Sequence, residues 1–214
     1  QLKNLEEIAD HCTLCGKCFK PCPVDIDTAQ VSILERQILS ERGYKHSPLP
    51  TRMSLHFLKT RNRLYNSLFR KAVVEWGAAR QGLAAEAMRQ APPALSTKKW
   101  RLVSMLKAPM MTPSPLPLRA SLPTCSLNEA LVLNPPATAG KTVFYFPGCG
   151  SERLYSEISE AAIYSLLATG VRVILPPAHL CCGYPAKANA KTKMHSDLTL
   201  RDTIILSQIR EMLG

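Results

Sequence analysis

Apolar residues recur at helical spacing in the first part of the chain. A short helical pattern opens the sequence and runs into Cys12, and a second helical pattern follows a group of cysteines. Asp25 or Asp27 is a suitable N-cap for the second helix, and Gly43 is a natural end for it, because glycine accepts the left-handed conformation found after helices. One apolar face of this helix consists of Val31, Leu34 and Ile38.

The middle of the chain changes from a helical pattern to a proline-rich one. A basic helical stretch runs over about 54–90, and two glycines weaken its second half. Prolines spread over 92–136 then break any regular element, which predicts a linker or an irregular covering segment of about 45 residues. Cys125 lies in this segment and is expected to be an ordinary thiol. The apolar stripe of the helical stretch consists of Leu55, Leu58, Leu64, Leu68, Val73 and Trp76.

Strand-like and helical patterns alternate toward the C-terminus. Residues 142–146 and 171–175 are short runs of β-forming residues, and helices are expected over about 151–169 and 196–213. This βαβα order with short joints predicts a parallel sheet. The predicted core faces of the two helices are Leu154, Ile158, Ala162 and Leu166, and Leu200, Ile204, Ile205 and Ile209.

The pattern as a whole predicts a mostly α-helical chain with a small α/β part. Three parts are expected, over 1–45, 46–140 and 141–214. The sequence shows no charged leader before an apolar run, and no apolar run of about 18 residues, so neither a secretory signal nor a membrane span is expected.

The formal net charge of +11 is concentrated in the middle of the chain. Fifteen Lys and Arg but only three Asp and Glu fall between Arg36 and Lys107, which is a local net of +12. A basic region of this kind suits nucleic acid, anionic lipid or an acidic partner protein, or it is a solvated helix face. No nucleic-acid motif accompanies the charge and the aromatic residues form no stacking platform, so no nucleic-acid partner is expected.

Four of the eight cysteines fall within eleven residues, in Cys12-Thr-Leu-Cys15-Gly-Lys-Cys18-Phe-Lys-Pro-Cys22-Pro23. This C-x2-C-x2-C-x3-C-P spacing is typical of bacterial [4Fe–4S] ferredoxins, in which the fourth cysteine serves the other cluster of a pair. Zinc usually takes two separated C-x2-C pairs, so it is the weaker alternative. A reducing compartment is expected, because thiols this close suit a metal better than disulfides. Cys22 either serves a second cluster or closes its own cluster in a single-cluster domain.

Three further cysteines occupy the predicted α/β part. Cys149 follows the first strand and stands between two glycines, and Cys181 and Cys182 follow the second strand. Adjacent cysteines are poor disulfide partners, because the small ring strains the S–S geometry. Ligands collect at the carboxyl ends of parallel strands, so the three thiols are expected to meet at one rim as ligands. The alternative is that they are small buried apolar residues.

The cysteine motifs resemble those of one family of redox proteins. Pro147-Gly-Cys149, followed after thirty-one residues by Cys181-Cys182-Gly183, is similar to the first part of the cysteine-rich CCG domain. That domain occurs in heterodisulfide reductases, in iron–sulfur proteins of glycolate oxidase and anaerobic glycerol-3-phosphate dehydrogenase, and in lactate-utilisation proteins. The first motif, followed by Val24-Asp-Ile-Asp27, resembles the second ferredoxin motif of the same proteins. No motif covers about 46–140.

The resemblance implies a fold and a function. The fold would be an α-helical ferredoxin-type [4Fe–4S] module, followed by an incomplete βαβα half of a CCG domain. The segments 145–153 and 180–185 look most like the C-terminal part of large bacterial FAD-binding oxidoreductases of the D-lactate or D-2-hydroxyglutarate dehydrogenase type, of which this chain would be an internal fragment. Cys12, Cys15, Cys18 and Cys22 would hold the [4Fe–4S] cluster, and Cys149, Cys181 and Cys182 would hold a second iron–sulfur cluster.

The same resemblance implies partners and a location. FAD would lie in a flavin domain of the same chain or of another subunit and would oxidise a 2-hydroxy acid. The clusters would pass its electrons to a quinone or a carrier protein, so the fragment alone would not be catalytic. The location would be cytoplasmic, with peripheral contact at the inner face of the membrane. A heterodisulfide-reductase-like subunit and a stand-alone electron-transfer subunit remain the alternatives.

Overall fold

The computed structural model describes residues 9–90, 111–137 and 139–213. These residues are mostly helical and include a small sheet, which confirms the coarse fold class predicted from the sequence. No helix among them is long and apolar enough to cross a membrane. The helices and strands are, in chain order, α1 (Thr28–Glu41), α2 (Leu49–Lys59), α3 (Arg63–Phe69), a π-helical turn (Arg70–Glu75), α4 (Trp76–Gln90), a 3-10 turn (Leu118–Ala120), β1 (Leu131–Leu133), β2 (Thr142–Phe144), α5 (Gly148–Arg153), α6 (Ser156–Ala168), β3 (Arg172–Leu175), α7 (Tyr184–Ala188) and α8 (Thr192–Leu213).

Contacts divide the chain into two compact units. The first unit consists of Gln1–Lys59 together with Leu180–Gly214, and the second consists of Thr60–His179. The first unit therefore holds α1, α2, α7 and α8, while the sheet and the remaining helices belong to the second. The three-part division at residues 45 and 140 stays a prediction.

Helix α1 begins and ends where the sequence predicts. The Asp27 side chain accepts hydrogen bonds from the backbone N–H groups of Ala29 and Gln30, at 3.0 and 3.1 Å, and so caps the helix. Gly43 follows the end with a φ of +72°. The helix predicted before Cys12 lies mostly outside the described residues, in which only residues 9–11 of it are helical.

The apolar face predicted for α1 does not face a core. Its three side chains, Val31, Leu34 and Ile38, are 44–48% exposed. The buried positions are instead Ile33, Leu39 and the charged Arg36. On this buried face the guanidinium of Arg36 hydrogen-bonds to the backbone carbonyls of Ala9 and Cys12.

The long basic helix predicted over 54–90 is not continuous. It is divided into α2, α3 and α4, with a break at residues 60–62 and the π-helical turn before α4. Asn62 starts the new helix, because its side chain accepts a hydrogen bond from the N–H of Tyr65 at 3.1 Å. Side-chain capping at this point therefore overrides the helical pattern.

The described residues form one three-stranded sheet, in the order β1-β3-β2. Strands β2 and β3 are parallel, as predicted, with Val143 opposite Val173. Strand β1 was not predicted, because it lies in the proline-rich segment, and it pairs antiparallel to β3 with Val132 opposite Ile174. The core beside the sheet consists of Leu118, Ile163, Val173 and Leu175.

The helices near the sheet and at the C-terminus differ from the predictions in detail. The helix predicted over 151–169 is split into α5 and α6, α8 begins four residues earlier than predicted, and α7 was not predicted. Of the predicted core faces, Leu166 and Ile209 pack inward, whereas Ile158, Leu200 and Ile204 are exposed. Buried positions of α8 include Leu198 and the charged Asp202, so a polar residue again takes an inward place.

Candidate metal centre

The first four cysteines lie on one open loop between residue 12 and α1. Leu14 has a φ of +58° and Gly16 a φ of +69°, so the backbone turns sharply between neighbouring cysteines. Two backbone hydrogen bonds, from Phe19 to Gly16 and from Cys22 to Phe19, continue the turns. A non-glycine residue rarely adopts a positive φ, so the conformation at Leu14 is held by its surroundings.

Two sulfur atoms of this loop accept backbone hydrogen bonds. The N–H of Ile26 donates to Cys22 Sγ at 3.3 Å. At Cys15 the backbone N–H of Lys17, and after it the Thr13 side chain, lower the pKa of the thiol. The lowered pKa of Cys15 favours its thiolate, which is the form that binds metals.

The side chain of Arg36 holds the beginning of the loop by hydrogen bonds to its backbone. It donates to the carbonyl oxygen of Ala9 from Nε at 3.1 Å and from Nη2 at 2.8 Å, and to that of Cys12 from Nη2 at 2.6 Å. Arg36 is 8% exposed, so these hydrogen bonds are shielded from water. They satisfy carbonyl groups that neither a helix nor a sheet could satisfy here.

The paired cysteines belong to the same unit as this loop. Cys181 is buried and Cys182 is exposed, and they directly precede Gly183 and α7. The hydrogen bond between the two thiols is the main cause that raises the pKa of Cys182, and partial burial adds to it. Cys182 is therefore held as the neutral thiol in the apo chain.

Two hydrogen bonds join the segment after the paired cysteines to the loop. The Tyr184 hydroxyl donates to the carbonyl oxygen of Leu14 at 3.2 Å. Arg36 Nη1 donates to the carbonyl oxygen of Ala188, at the end of α7, at 2.8 Å. These hydrogen bonds thus connect the segments of the two cysteine motifs, which are about 160 residues apart in sequence.

Cys149 lies in the other unit. It is the second residue of α5, is half-buried and follows Gly148, whose φ is +71°. The predicted meeting of Cys149 with Cys181 and Cys182 at one rim stays a prediction. Cys125 is half-buried, and its backbone carbonyl accepts a hydrogen bond from Arg63.

The fit of an iron–sulfur cluster to the first loop depends on its donor set. Within the ranges that the structure describes, no three His, Cys, Asp or Glu side chains lie close enough together to hold a metal ion. Cys15 and Cys18 are exposed, and Cys12 and Cys22 are half-buried. The chemistry nevertheless fits, because four thiols stand within eleven residues and backbone N–H groups already point at Cys15 and Cys22.

A buried polar cluster in the second unit was not found from the sequence. Glu152 accepts hydrogen bonds from Arg119 Nε at 2.8 Å and from the backbone N–H of His179 at 3.0 Å. Burial, and after it the positive charge of Arg153 and neighbouring arginines, lowers the pKa of His179 to about 4. The members of this cluster are far apart in sequence and follow no period, so no sequence signal could have indicated it.

Arginines of the basic region bind backbone carbonyls inside the second unit. Arg70, which is 6% exposed, donates to the carbonyl oxygens of Ser114 and Arg153. Arg61 donates to the carbonyl oxygen of Ala178 at 3.3 Å. A solvated helix face, predicted as one explanation of the charge, therefore does not describe Arg70.

No protein-family model, curated protein or solved structure matches this chain. The resemblance of the two cysteine motifs to the CCG family therefore stays a prediction from those motifs. A function for the chain has to be inferred from the thiols of the first loop and the contacts that hold them.

Proposed function

We propose that this chain is the electron-transfer part of a flavin-dependent 2-hydroxy-acid oxidoreductase, with a [4Fe–4S] cluster on the loop of Cys12, Cys15, Cys18 and Cys22. One observation carries the proposal: four thiols within eleven residues lie on a loop whose backbone N–H groups donate to sulfur. A bound [4Fe–4S] cluster takes up and releases one electron at a time, which suits a chain of carriers between a flavin and an acceptor.

The residues of the loop have separate tasks in this proposal. The four thiolates are the ligands, and the N–H groups of Lys17 and Ile26 stabilise the negative charge on Cys15 and Cys22. Hydrogen bonds to sulfur raise a cluster's reduction potential, because they favour the more negatively charged reduced form. These two contacts therefore help to set the potential.

The rest of the proposal follows the family resemblance. FAD would be bound by a flavin domain of the same chain or of another subunit, and the electrons would pass to a quinone or a carrier protein in the cytoplasm or at the membrane surface. Cys149, Cys181 and Cys182 would contribute to a second cluster. In this proposal substrate oxidation takes place at the flavin, and the part of this chain is electron transfer.

A heterodisulfide-reductase-like role is the second candidate, and the paired cysteines favour it. Cys182 is exposed and its neighbour Cys181 is 1% exposed, so a cluster held by this pair would be accessible to a disulfide substrate from the side of Cys182. In that case the second cluster site would do the chemistry and the first loop would supply electrons. A loss of disulfide reduction in Cys182→Ser, with the first cluster intact, would favour this candidate.

Anaerobic reconstitution with iron and sulfide tests the proposal. We expect about four irons per chain bound at the first loop, with a low-temperature EPR signal of a reduced cubane. Cys15→Ser should lose that signal. Cys125→Ser is the matched control, because it removes a half-buried thiol outside both motifs, and it should retain the signal.

Two outcomes would contradict the proposal. One is a chain that binds no iron but holds one zinc ion tightly, which would indicate a structural metal domain. The other is a cubane signal that persists in Cys15→Ser and is lost in Cys182→Ser, which would move the cluster to the paired cysteines.

A further inference from the structure

The side chain of Arg36 lies where the two cysteine motifs of the first unit come together. It is buried, and its three guanidinium nitrogens donate to the carbonyl oxygens of Ala9, Cys12 and Ala188 at 2.6–3.1 Å. The first two carbonyls belong to the beginning of the loop. The third ends the short helix α7, which starts directly after Cys181-Cys182-Gly183.

A planar guanidinium holds these carbonyls in a fixed arrangement. Its donors point in set directions in one plane, so movement of one acceptor weakens the bonds to the others. The low exposure of Arg36 strengthens the effect, because water cannot replace a lost partner. A displacement of α7 would therefore weaken the hydrogen bond to the Cys12 carbonyl. A displacement of the loop would likewise weaken the hydrogen bond to the Ala188 carbonyl.

An independent contact joins the same two segments. The Tyr184 hydroxyl donates to the carbonyl oxygen of Leu14, at the residue whose positive φ turns the loop. On the other side, Gly183 packs tightly against α8, because a Cβ at this position would lie 2.7 Å from His195 Nδ1. The segment after the paired cysteines is thus held between α8 and the loop.

We propose that Arg36 is a positioning residue that couples the Cys12–Cys22 loop to the Cys181–Cys182 segment, so that a displacement of one cysteine motif changes the position of the other. Its charge also lies close to the Cys12 backbone, where it favours the more negative, reduced state of a bound cluster. The effect on the cluster rests on the proposed function, whereas the coupling concerns the protein alone.

Amide hydrogen exchange of the apo chain tests the coupling without any metal. In Arg36→Met, peptides covering residues 9–22 and 180–190 should both exchange at least about tenfold faster, since the charged hydrogen bonds that hold both segments are lost together. Peptides of α6 should be unchanged. Arg42→Met is the matched control, because Arg42 is an exposed arginine just past the same helix, and it should change neither peptide.

Faster exchange in residues 9–22 alone would overturn the coupling. If Arg36→Met loosens the whole chain, Tyr184→Phe decides, because it removes one hydrogen bond at an exposed residue. Tyr184→Phe should speed exchange in both peptides to a smaller extent, and no change in the loop peptide would overturn the proposal.

The reduction potential of the reconstituted chain separates positioning from support of the fold. Arg36→Met should bind the same amount of iron with a lower potential and an altered EPR line shape. Arg36→Lys should restore the potential in part, because it keeps the charge, but not the exchange protection, because one nitrogen cannot replace three donors. Equal potentials in all three proteins would overturn the role toward the cluster. A chain that binds no iron would refute the proposed function, while the exchange result would stand.

Discussion

Glu152 and Arg119 form a buried ion pair, with Arg119 Nε 2.8 Å from Glu152 Oε1 and side-chain exposures of 3% and 12%. The same carboxylate accepts the backbone N–H of His179. The Glu152 carboxylate therefore holds the backbone at His179, just before the paired cysteines, by a buried hydrogen bond that water cannot replace. Loss of one charge would leave the other buried without compensation.

Glu152→Gln is therefore expected to lower the free energy of unfolding by about 3 kcal/mol. Urea denaturation of the variant and the wild-type protein measures the change. Glu157→Gln is the control, since Glu157 is exposed, and it should change the free energy by less than about 0.5 kcal/mol. Equal effects of the two substitutions would show that the ion pair does not hold the second unit.

Stability should depend on pH through His179. The fold lowers the pKa of this imidazole from 6.5 to about 4, chiefly by burial, so the folded state keeps it neutral while the unfolded chain takes up a proton. The contribution of the neutral His179 side chain to the stability of the fold is complete above pH 6.5, and it is lost as the pH falls toward 4. Unfolding free energies measured between pH 7 and about 4 should therefore decrease with falling pH.

His179→Asn should make this decrease shallower. Asparagine is the suitable replacement, because the φ of +63° at this position is one that asparagine tolerates. His46→Asn, at an exposed histidine, is the control and should leave the slope as in the wild-type protein. An unchanged slope in His179→Asn would show that the acid sensitivity does not come from His179.

The thiols should differ in reactivity in the apo chain. Cys15 should react with iodoacetamide well before Cys182, because hydrogen bonds lower the pKa of Cys15 and a hydrogen bond with Cys181 raises that of Cys182. Mass spectrometry of timed samples measures both rates in one experiment. Thr13→Val should slow the labelling of Cys15 and leave the labelling rate of Cys182 unchanged. Faster labelling of Cys182 than of Cys15 would contradict the hydrogen bonds assigned to the two thiols.

Two glycines with similar backbone conformations offer a test of packing at the paired cysteines. Gly43→Ala should cost about 1–2 kcal/mol, because φ is +72° and nothing lies within 4 Å of the new Cβ. Gly183→Ala has a φ of +78° and also meets His195, so it should cost at least about 1 kcal/mol more.

Urea denaturation of both variants measures the difference. His195→Ala, added to Gly183→Ala, should recover only part of it, because the His195 backbone oxygen stays 3.2 Å from the new Cβ. Equal costs at Gly43 and Gly183 would show that the segment after the paired cysteines is packed more loosely than the structure indicates.

Local signals in the sequence were sufficient for part of the fold. Asp27 and Gly43 correctly indicate the beginning and the end of α1, because capping depends on residues next to the helix end. The parallel pair of β2 and β3 follows from short β-forming runs with a helix between them. The spacing of the first four cysteines also marks the candidate site without any structure.

Other parts depend on contacts that no local pattern contains. The buried face of α1 does not coincide with its apolar face of Val31, Leu34 and Ile38, and periodicity could not indicate this, because an arginine counts as polar although Arg36 is buried on backbone carbonyls. Strand β1 has three residues within a proline-rich segment, and only pairing with β3 makes it a strand. The grouping of residues 180–213 with the first 59 residues joins segments that are far apart in sequence.

The binding of backbone carbonyls by arginine side chains limits which substitutions this chain can accept. A lysine in place of Arg36 or Arg70 would keep the charge but has a single nitrogen, so some of the carbonyls would lose their donor. Exposed Lys17 and Lys20 carry no such requirement. Among related sequences, lysine and arginine should therefore exchange freely at the exposed positions, while the buried positions keep arginine even where the total charge of the protein changes.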